Sequence, residues 1–102
     1  MPIVRVSRAA VADLLEIRRF AENEWGSAQA NRYIDSLKAH LGKLAQFPSI
    51  GTSRPEIGPN RRTSRYGSHL VLYREIDGGI EIRRIVHAQR DLTRILVRER
   101  GR

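Results

Sequence analysis

The sequence predicts an α+β fold: an N-terminal strand, an antiparallel helical hairpin packed on a mainly antiparallel sheet, and a short C-terminal helix. In the first half of the chain, apolar residues recur at steps of three and four, the period of an amphipathic helix. The second half holds strand-like runs around a Gly-Gly turn. At 102 residues and 40% hydrophobic composition, residues 1–102 are expected to form a single domain with one core.

The N-terminal segment is predicted to form a strand followed by a helix. Residues 3–6 read Ile-Val-Arg-Val and are rich in the β-branched side chains that favour strands. Ser7 then suits a helix N-cap, because its hydroxyl can accept from a free backbone N–H of the first turn. Gly26 is expected to end the helix in the left-handed conformation. One face of this helix is apolar and consists of Ala10, Leu14, Ile17, Ala21 and Trp25.

A second helix is predicted directly afterwards, with Ser27 as its N-cap. It should end near Phe47, because Pro48 disfavours the α conformation in the residue before it. Two helices joined by so short a break form an antiparallel hairpin. Gly42 inside this helix costs about 1 kcal/mol relative to alanine if it is exposed. The apolar face of the second helix consists of Ala30, Ile34, Leu37, Leu41 and Leu44.

The second half of the chain is predicted to contain a long loop, three strands and a short helix. Residues 48–60 hold three of the four prolines and are predicted to form the loop. Strands are predicted at 61–66, 69–76 and 80–87, and the last helix at 91–98.

The turn at residues 77–79, Asp-Gly-Gly, determines which strand residues lie opposite each other. A two-residue loop mixes apolar and charged residues on both faces, whereas a three-residue loop separates them and suits a bulged turn ending in glycine. The face predicted to pack on the helices is then Leu70, Leu72, Ile76, Ile80, Ile82 and Val86, interrupted by Arg74 and Arg84. The opposite face is predicted to be open and to carry His69, Val71, Tyr73, Arg83, Ile85 and His87.

The charge of the chain suggests an acidic or nucleic-acid partner. The net charge is +8, with +6 in residues 54–102 and +2 in residues 1–53. There is no cysteine, so disulfides and thiolate metal sites are excluded. No apolar run approaches the ~20 residues of a membrane span. The N-terminus does not resemble a signal peptide, so a cytoplasmic location is expected.

Metal ions and cofactors are not expected from the sequence. His40, His69 and His87 lie on different predicted elements, and no metal-binding spacing of His or Cys occurs. No glycine-rich phosphate loop follows a strand, and no serine lies in a nucleophile motif.

The order of elements and several motifs resemble the RelE/ParE superfamily of bacterial toxins, over nearly the whole chain. In order and spacing the motifs look like the ParE branch, also known as plasmid stabilisation proteins. They are Ala12-Asp13-Leu14 with Ile17, Phe47-Pro48-Ser49-Ile50-Gly51, Arg54-Pro55-Glu56, then residues 66–74 (YGSHLVLYR) and 82–91 (IRRIVHAQRD).

The resemblance implies the toxin of a type II toxin–antitoxin module, neutralised by a ParD-like antitoxin in a heteromeric complex. ParE-type toxins act on DNA gyrase, which they block together with cleaved DNA. The expected activity is therefore growth inhibition by binding, with no chemistry and no cofactor. The predicted partner-binding residues are His69, Tyr73, Arg83, His87, Arg90, Arg94 and Arg98.

A ribosome-dependent mRNA endonuclease of the RelE type is the enzymatic alternative. It needs a base, an acid and cations for the charged transition state. His87 suits the base because its ordinary pKa lies near neutrality, although it equally suits a residue that caps the last helix. RelE-type toxins resembling this chain tend to keep more lysine on this face and an aromatic residue close to the last strand. Here no lysine follows Lys43 and no aromatic residue follows His87, and both differences favour the binding hypothesis. The nuclease candidates are Arg65, Tyr73, Arg83, His87 and Arg90.

A non-toxic, basic nucleic-acid-binding domain is the remaining alternative. Aromatic residues make up 6% of the chain, few for a protein that stacks on single strands. The sequence also lacks a convincing recognition helix pair.

Overall fold

The structure, a computed structural model, describes residues 1–100 apart from the side chain of Leu96; Gly101 and Arg102 of the predicted domain lie outside the described residues. The α+β architecture is confirmed, and each predicted element is present. The elements in order are β1 (Ile3–Val6), α1 (Arg8–Trp25), α2 (Ser27–Gln46), a 3₁₀ turn (Pro48–Ile50), β2 (Thr52–Ser53), β3 (Arg61–Tyr66), β4 (His69–Ile76), β5 (Gly79–His87) and α3 (Leu92–Arg100).

The strands form one sheet in the order β1-β5-β4-β3-β2. β1 runs parallel to β5, and the other neighbouring pairs are antiparallel, as the mainly antiparallel prediction requires. The predicted loop at 48–60 is more ordered than expected, because it contains the 3₁₀ turn and the edge strand β2. No helix within residues 1–100 combines the length and the apolar character that a membrane crossing requires.

The helix caps differ in detail from the predictions. The Ser7 hydroxyl accepts from the Ala10 amide at 3.1 Å, so this N-cap is confirmed. Gly26 does end α1, but with φ 85° and ψ 166° rather than in the predicted left-handed helical conformation. The prediction that Ser27 caps α2 is wrong, because Ser27 is the first residue of that helix and no side chain caps it.

The β4–β5 hairpin contains two registers, joined by an irregularity at Leu72 and Tyr73. Near the open end the predicted pairing is observed, with His69 opposite His87. Near the turn, Ile76 lies opposite Gly79, which leaves a two-residue loop instead of the predicted three-residue one. One extra residue in β5 therefore acts as a β-bulge, and it changes which side chains share a face.

The predicted assignment of the two sheet faces is partly wrong as a consequence of this bulge. Val71, Tyr73 and Ile85 were predicted to lie on the open face but pack under the helical hairpin. The face under the helices also includes Ile80 and Ile82, as predicted. Its buried strand residues are Val71, Tyr73, Ile80, Ile82 and Ile85, which pack with Ala10, Ile17, Ile34, Leu37, Leu41 and Leu44 of the helices. On the opposite face, Leu70, Leu72 and Val86 are covered by Ile95 of α3 and by Ile57.

Candidate functional site

A groove of about 720 Å³ lies between α1, the start of α2, the end of β5 and the start of α3. We call it the α1–β5 groove. Its volume is in the range of pockets that hold ligands or partner side chains. Its lining includes the aromatic side chains Phe20, Trp25 and Tyr33, two imidazoles, and charged residues from α1 and from the segment after β5.

Three aromatic side chains form one wall of the groove. The ring centroids of Phe20 and Trp25 are 6.5 Å apart, and those of Trp25 and Tyr33 are 6.1 Å apart, both in edge-on geometry. Phe20 is 57% exposed and Trp25 is 47% exposed. Trp25, predicted as part of the buried face of α1, is thus mostly outside the core because it is the last residue of α1. Large exposed apolar side chains in one patch indicate an interaction surface.

Tyr33 joins this wall to an imidazole pair at the groove floor. Its hydroxyl lies 2.7 Å from Nδ1 of His69 and 3.3 Å from the carbonyl oxygen of Tyr66. Both contacts are satisfied when His69 Nδ1–H donates to the hydroxyl and the hydroxyl donates to Tyr66. Burial lowers the pKa of His69, and the neighbouring His87 and Arg90 lower it further. Both effects favour the neutral form of His69.

His87 shapes the turn that leads into α3. Its Nδ1 accepts from the backbone amides of Gln89 at 3.3 Å and Arg90 at 3.1 Å, and its ring centroid is 6.1 Å from that of His69. His87 therefore caps the turn before α3 and not the helix itself, which begins at Leu92. A nitrogen that already accepts two amide protons is not free to accept a proton from a substrate.

The rim of the groove is cationic. The side chains of Arg90 and Arg94 are 70% and 69% exposed, and both pair with Asp91, at 3.0 Å and 3.6 Å. The hydrogen bond from Arg90 lowers the pKa of Asp91. Arg19 lines the same groove from α1. The carboxylates of Asp91 and Glu16 face the three arginines of the rim, which leaves one positive charge in excess for an acidic partner.

Asp13 and Arg84 hold the two sides of the groove together. Arg84 donates to both carboxylate oxygens of Asp13, at 2.8 Å and 2.9 Å, and the Ile85 amide donates to one of them at 2.9 Å. This bidentate pair connects α1 to β5. The sequence did carry a signal for it: Asp13 lies beside the apolar face of α1, and Arg84 interrupts an apolar strand.

The structure does not bring the five nuclease candidates together. His87 and Arg90 line the groove, whereas Arg65, Tyr73 and Arg83 do not. Arg65 donates to the Gly67 carbonyl at 3.0 Å. Arg83 lies towards α3, where it pairs with Glu81 and Glu99 at 3.3 Å each.

Tyr73 requires a correction, because the prediction that it lies on an open face is wrong. It is 0% exposed and belongs to the core under the helices. Its hydroxyl donates to the Pro48 carbonyl at 2.6 Å and accepts from the Gly51 amide at 3.0 Å. Tyr73 thus fixes the segment after α2, and it is not available for direct contact with a partner.

The other predicted partner-binding residues divide between two surfaces. His69, His87, Arg90 and Arg94 line the α1–β5 groove. Arg83 and Arg98 line a second cleft between the start of α1 and α3. Their contacts with a partner stay predictions. Trp25 was not among the residues considered for partner contact. A metal-binding cluster of three or more His, Cys, Asp or Glu side chains is absent from residues 1–100.

Comparison with known proteins gives consistent matches. Residues 4–92 match the family described as the ParE toxin of the type II toxin–antitoxin system parDE. Toxin ParE1 of Caulobacter vibrioides is 36% identical over 83 residues, covering 81% of this chain and 85% of that relative. Toxin ParE1 of Mycobacterium tuberculosis is 36% identical over 92 residues, covering 89% and 94% respectively.

A solved structure matches the fold as well. It is described as the chromosomal ParDE TA system from P. aeruginosa. The match has a TM-score of 0.70 at 25% sequence identity, and it covers 85% of this chain and 96% of that chain. Both the sequence and the arrangement of elements are therefore similar to those of ParDE proteins.

Proposed function

The chain belongs to the ParE toxin family of type II toxin–antitoxin systems, and from this premise we propose that a ParD-like antitoxin neutralises it by occupying the α1–β5 groove. The observation that carries the proposal is the exposed aromatic wall of Phe20 and Trp25, beside Tyr33. Burying such side chains in a complex removes apolar surface from water, which favours association.

The groove also defines the chemistry of the segment that fits it. The aromatic wall suits apolar side chains of the partner, and the rim of Arg19, Arg90 and Arg94 suits carboxylates. An amphipathic antitoxin segment with apolar residues on one side and acidic residues on the other satisfies both. Helix-in-groove binding of this kind is a common mode of recognition.

A titration of the purified toxin with its cognate antitoxin tests the groove. Phe20→Ala and Trp25→Ala are each expected to weaken binding by roughly tenfold or more, since buried aromatic anchors dominate interface energies. Leu15→Ala is the matched control, because Leu15 is on the same helix and 59% exposed but does not line the groove. Equal affinities of all three variants and the unchanged protein contradict this placement of the antitoxin.

The proposed cellular target is DNA gyrase, which the toxin inhibits by binding in the cytoplasm. Support comes from the family and from the site, where no set of nuclease candidates converges: Tyr73 is buried and Nδ1 of His87 is engaged by the backbone. An inhibitor that acts by binding needs only a surface complementary to its target. A nuclease needs an acid, a base and a cation for the transition state together in one active site.

A paired assay tests the target. Purified protein is added to a gyrase supercoiling reaction and, separately, to programmed ribosomes, with the antitoxin-bound protein as the control in each. Inhibited supercoiling or trapped cleavage complexes, with intact mRNA, are expected. Codon-linked mRNA cuts that disappear in His87→Ala support the nuclease alternative instead. A protein inactive in both assays, and harmless to growth, supports the non-toxic nucleic-acid-binding alternative.

A further inference from the structure

A charged cluster lies on the sheet face that α3 partly covers, away from the helical hairpin. β3 and β4 place Arg61 directly opposite Arg74, and β4 and β5 place Arg74 directly opposite Glu81. Arg83, two residues further along β5, and Glu99 of α3 complete it. We call these five residues the arginine cluster.

The two carboxylates of the cluster hydrogen-bond to Arg74 and Arg83. Glu81 accepts from Nε of Arg74 at 2.7 Å and from Nη1 of Arg83 at 3.3 Å. Glu99 accepts from Nε of Arg83 at 3.3 Å. Nε of Arg61 is buried and has no hydrogen-bond partner within residues 1–100. A buried charged donor without an acceptor is costly, so native proteins rarely keep one without a reason.

The surroundings strengthen the preference of Arg61 for an anion. Burial lowers the pKa of Arg61, and the neighbouring charges of Arg83 and Arg74 lower it further, whereas Glu99 and Glu81 offset part of this shift. The same face carries the buried apolar residues Leu72 and Ile95. Electrostatic attraction is stronger beside such low-dielectric surroundings than in water. Arg61 as a whole residue is only partly buried, so a ligand can reach it from solvent.

We propose that Arg61, Arg74 and Arg83 form a binding site for a phosphate group. Phosphate presents several acceptor oxygens in a tetrahedral arrangement, and arginine forks bind it in bidentate fashion. The two carboxylates already present limit the site to one such group, since they neutralise two of the three positive charges. The phosphate belongs to a free ion or to a nucleic-acid backbone. This site is separate from the antitoxin groove and does not depend on the proposed function.

Thermal unfolding of the full chain tests the site with inorganic phosphate as the probe. Phosphate is expected to raise the midpoint relative to chloride at the same pH and ionic strength, because a ligand of the folded state stabilises it. Arg61→Gln is expected to abolish this shift. Arg32→Gln, which removes the same charge from an exposed position on α2, is expected to retain it. No phosphate-specific shift, or its loss in both variants, overturns the proposal.

Arg61→Gln is expected to fold, because it removes a buried donor that has no partner. Arg61→Lys provides a second variant, which keeps the charge and loses the planar fork. It is expected to bind phosphate roughly tenfold more weakly than the unchanged protein. A loss of this size corresponds to about one charge-assisted hydrogen bond. The NMR resonance of Arg61 Nε–H, followed during phosphate titration of the unchanged protein, gives a readout that needs no variant, and an unmoved resonance overturns the proposal.

A second arm distinguishes the two sources of phosphate. Short duplex DNA is titrated at several salt concentrations against the unchanged protein, Arg61→Gln and Arg32→Gln. If the backbone is the source, Arg61→Gln weakens binding beyond the control and lowers the salt slope by about 0.9 per lost contact. Binding of inorganic phosphate with no Arg61-specific effect on DNA assigns the site to a free phosphate.

Discussion

Asp13 is a single buried carboxylate on which the connection between the helical hairpin and the sheet depends. It is 8% exposed, and it accepts from Arg84 and from the backbone of Ile85. Breaking a buried pair from one side leaves the remaining charge uncompensated, which is worse than removing both partners. Even a chemically small substitution of Asp13 is therefore expected to have a large effect on stability.

Asp13→Asn is expected to lower the free energy of unfolding by about 3 kcal/mol or more, because Arg84 is left as a poorly compensated charge. Urea denaturation followed by far-UV circular dichroism measures the change. Glu24→Gln on the same helix serves as the control, since Glu24 is exposed. A change below about 0.5 kcal/mol, the range of ordinary surface substitutions, contradicts the assigned role.

His69 is expected to make stability depend on pH. Its pKa in the folded protein is below the ordinary value of 6.5, through burial first and then through His87 and Arg90. The unfolded chain therefore binds more protons below about pH 6.5, and the free energy of unfolding falls as the pH falls through this range. The pKa of His40 is also lowered by burial and acts in the same direction.

The measurement compares urea denaturation at pH 7 and at about pH 5 for the unchanged protein and for His69→Gln. A smaller loss of stability on acidification is expected in the variant. His87→Gln is not a suitable control, because His87 caps the turn before α3. The same comparison with His40→Gln measures the contribution of His40 to the pH dependence of stability. Identical pH dependence of His69→Gln and the unchanged protein contradicts the expectation.

At the scale of elements, α2 contains a glycine that nothing in its surroundings explains. A Cβ added at Gly42 meets no atom within 4 Å, and the residue is exposed. Gly42→Ala is expected to raise the free energy of unfolding by about 1 kcal/mol, because alanine favours the helix interior. Gly26→Ala is the matched contrast and is expected to be destabilising, since Gly26 has φ 85°.

Urea denaturation of the two glycine variants side by side checks this pair of expectations. A stabilised Gly26→Ala shows that the chain reversal between α1 and α2 does not require the positive φ of that residue. A destabilised Gly42→Ala indicates that the exposed face of α2 carries a constraint beyond helix propensity.

The β4–β5 hairpin shows where element-level prediction from sequence stops. Both strand ranges were predicted to within one residue, because alternation and the turn residues are local signals. The residues on each face of the sheet were not all predicted correctly, because a single bulged residue reverses the inward and outward alternation in one half of β5. Only the assembled sheet explains Gly79: a Cβ at this position would collide with the backbone of Ile3 in β1.

At the scale of the whole molecule, the groove and the arginine cluster have no residue in common. Trp25 is the only tryptophan and is 47% exposed in the groove. Its fluorescence is expected to shift to shorter wavelength when the antitoxin binds, because the indole leaves water. Inorganic phosphate is expected to leave the emission unchanged, because Trp25 is not part of the proposed phosphate site. An unshifted spectrum in a stoichiometric antitoxin complex contradicts burial of the wall.

The sequence by itself determined the α+β class, the order of elements, the buried faces of α2 and most of α1, and the family resemblance. These features depend on periodicity, turn residues and short motifs, which are local properties of the chain. It did not determine which sheet face the helices cover, nor that Tyr73 is buried. It also did not reveal the groove, because Phe20, Trp25, His69 and His87 are distant in sequence. Only tertiary packing joins them, since strand parity and contacts between separate elements depend on the whole chain.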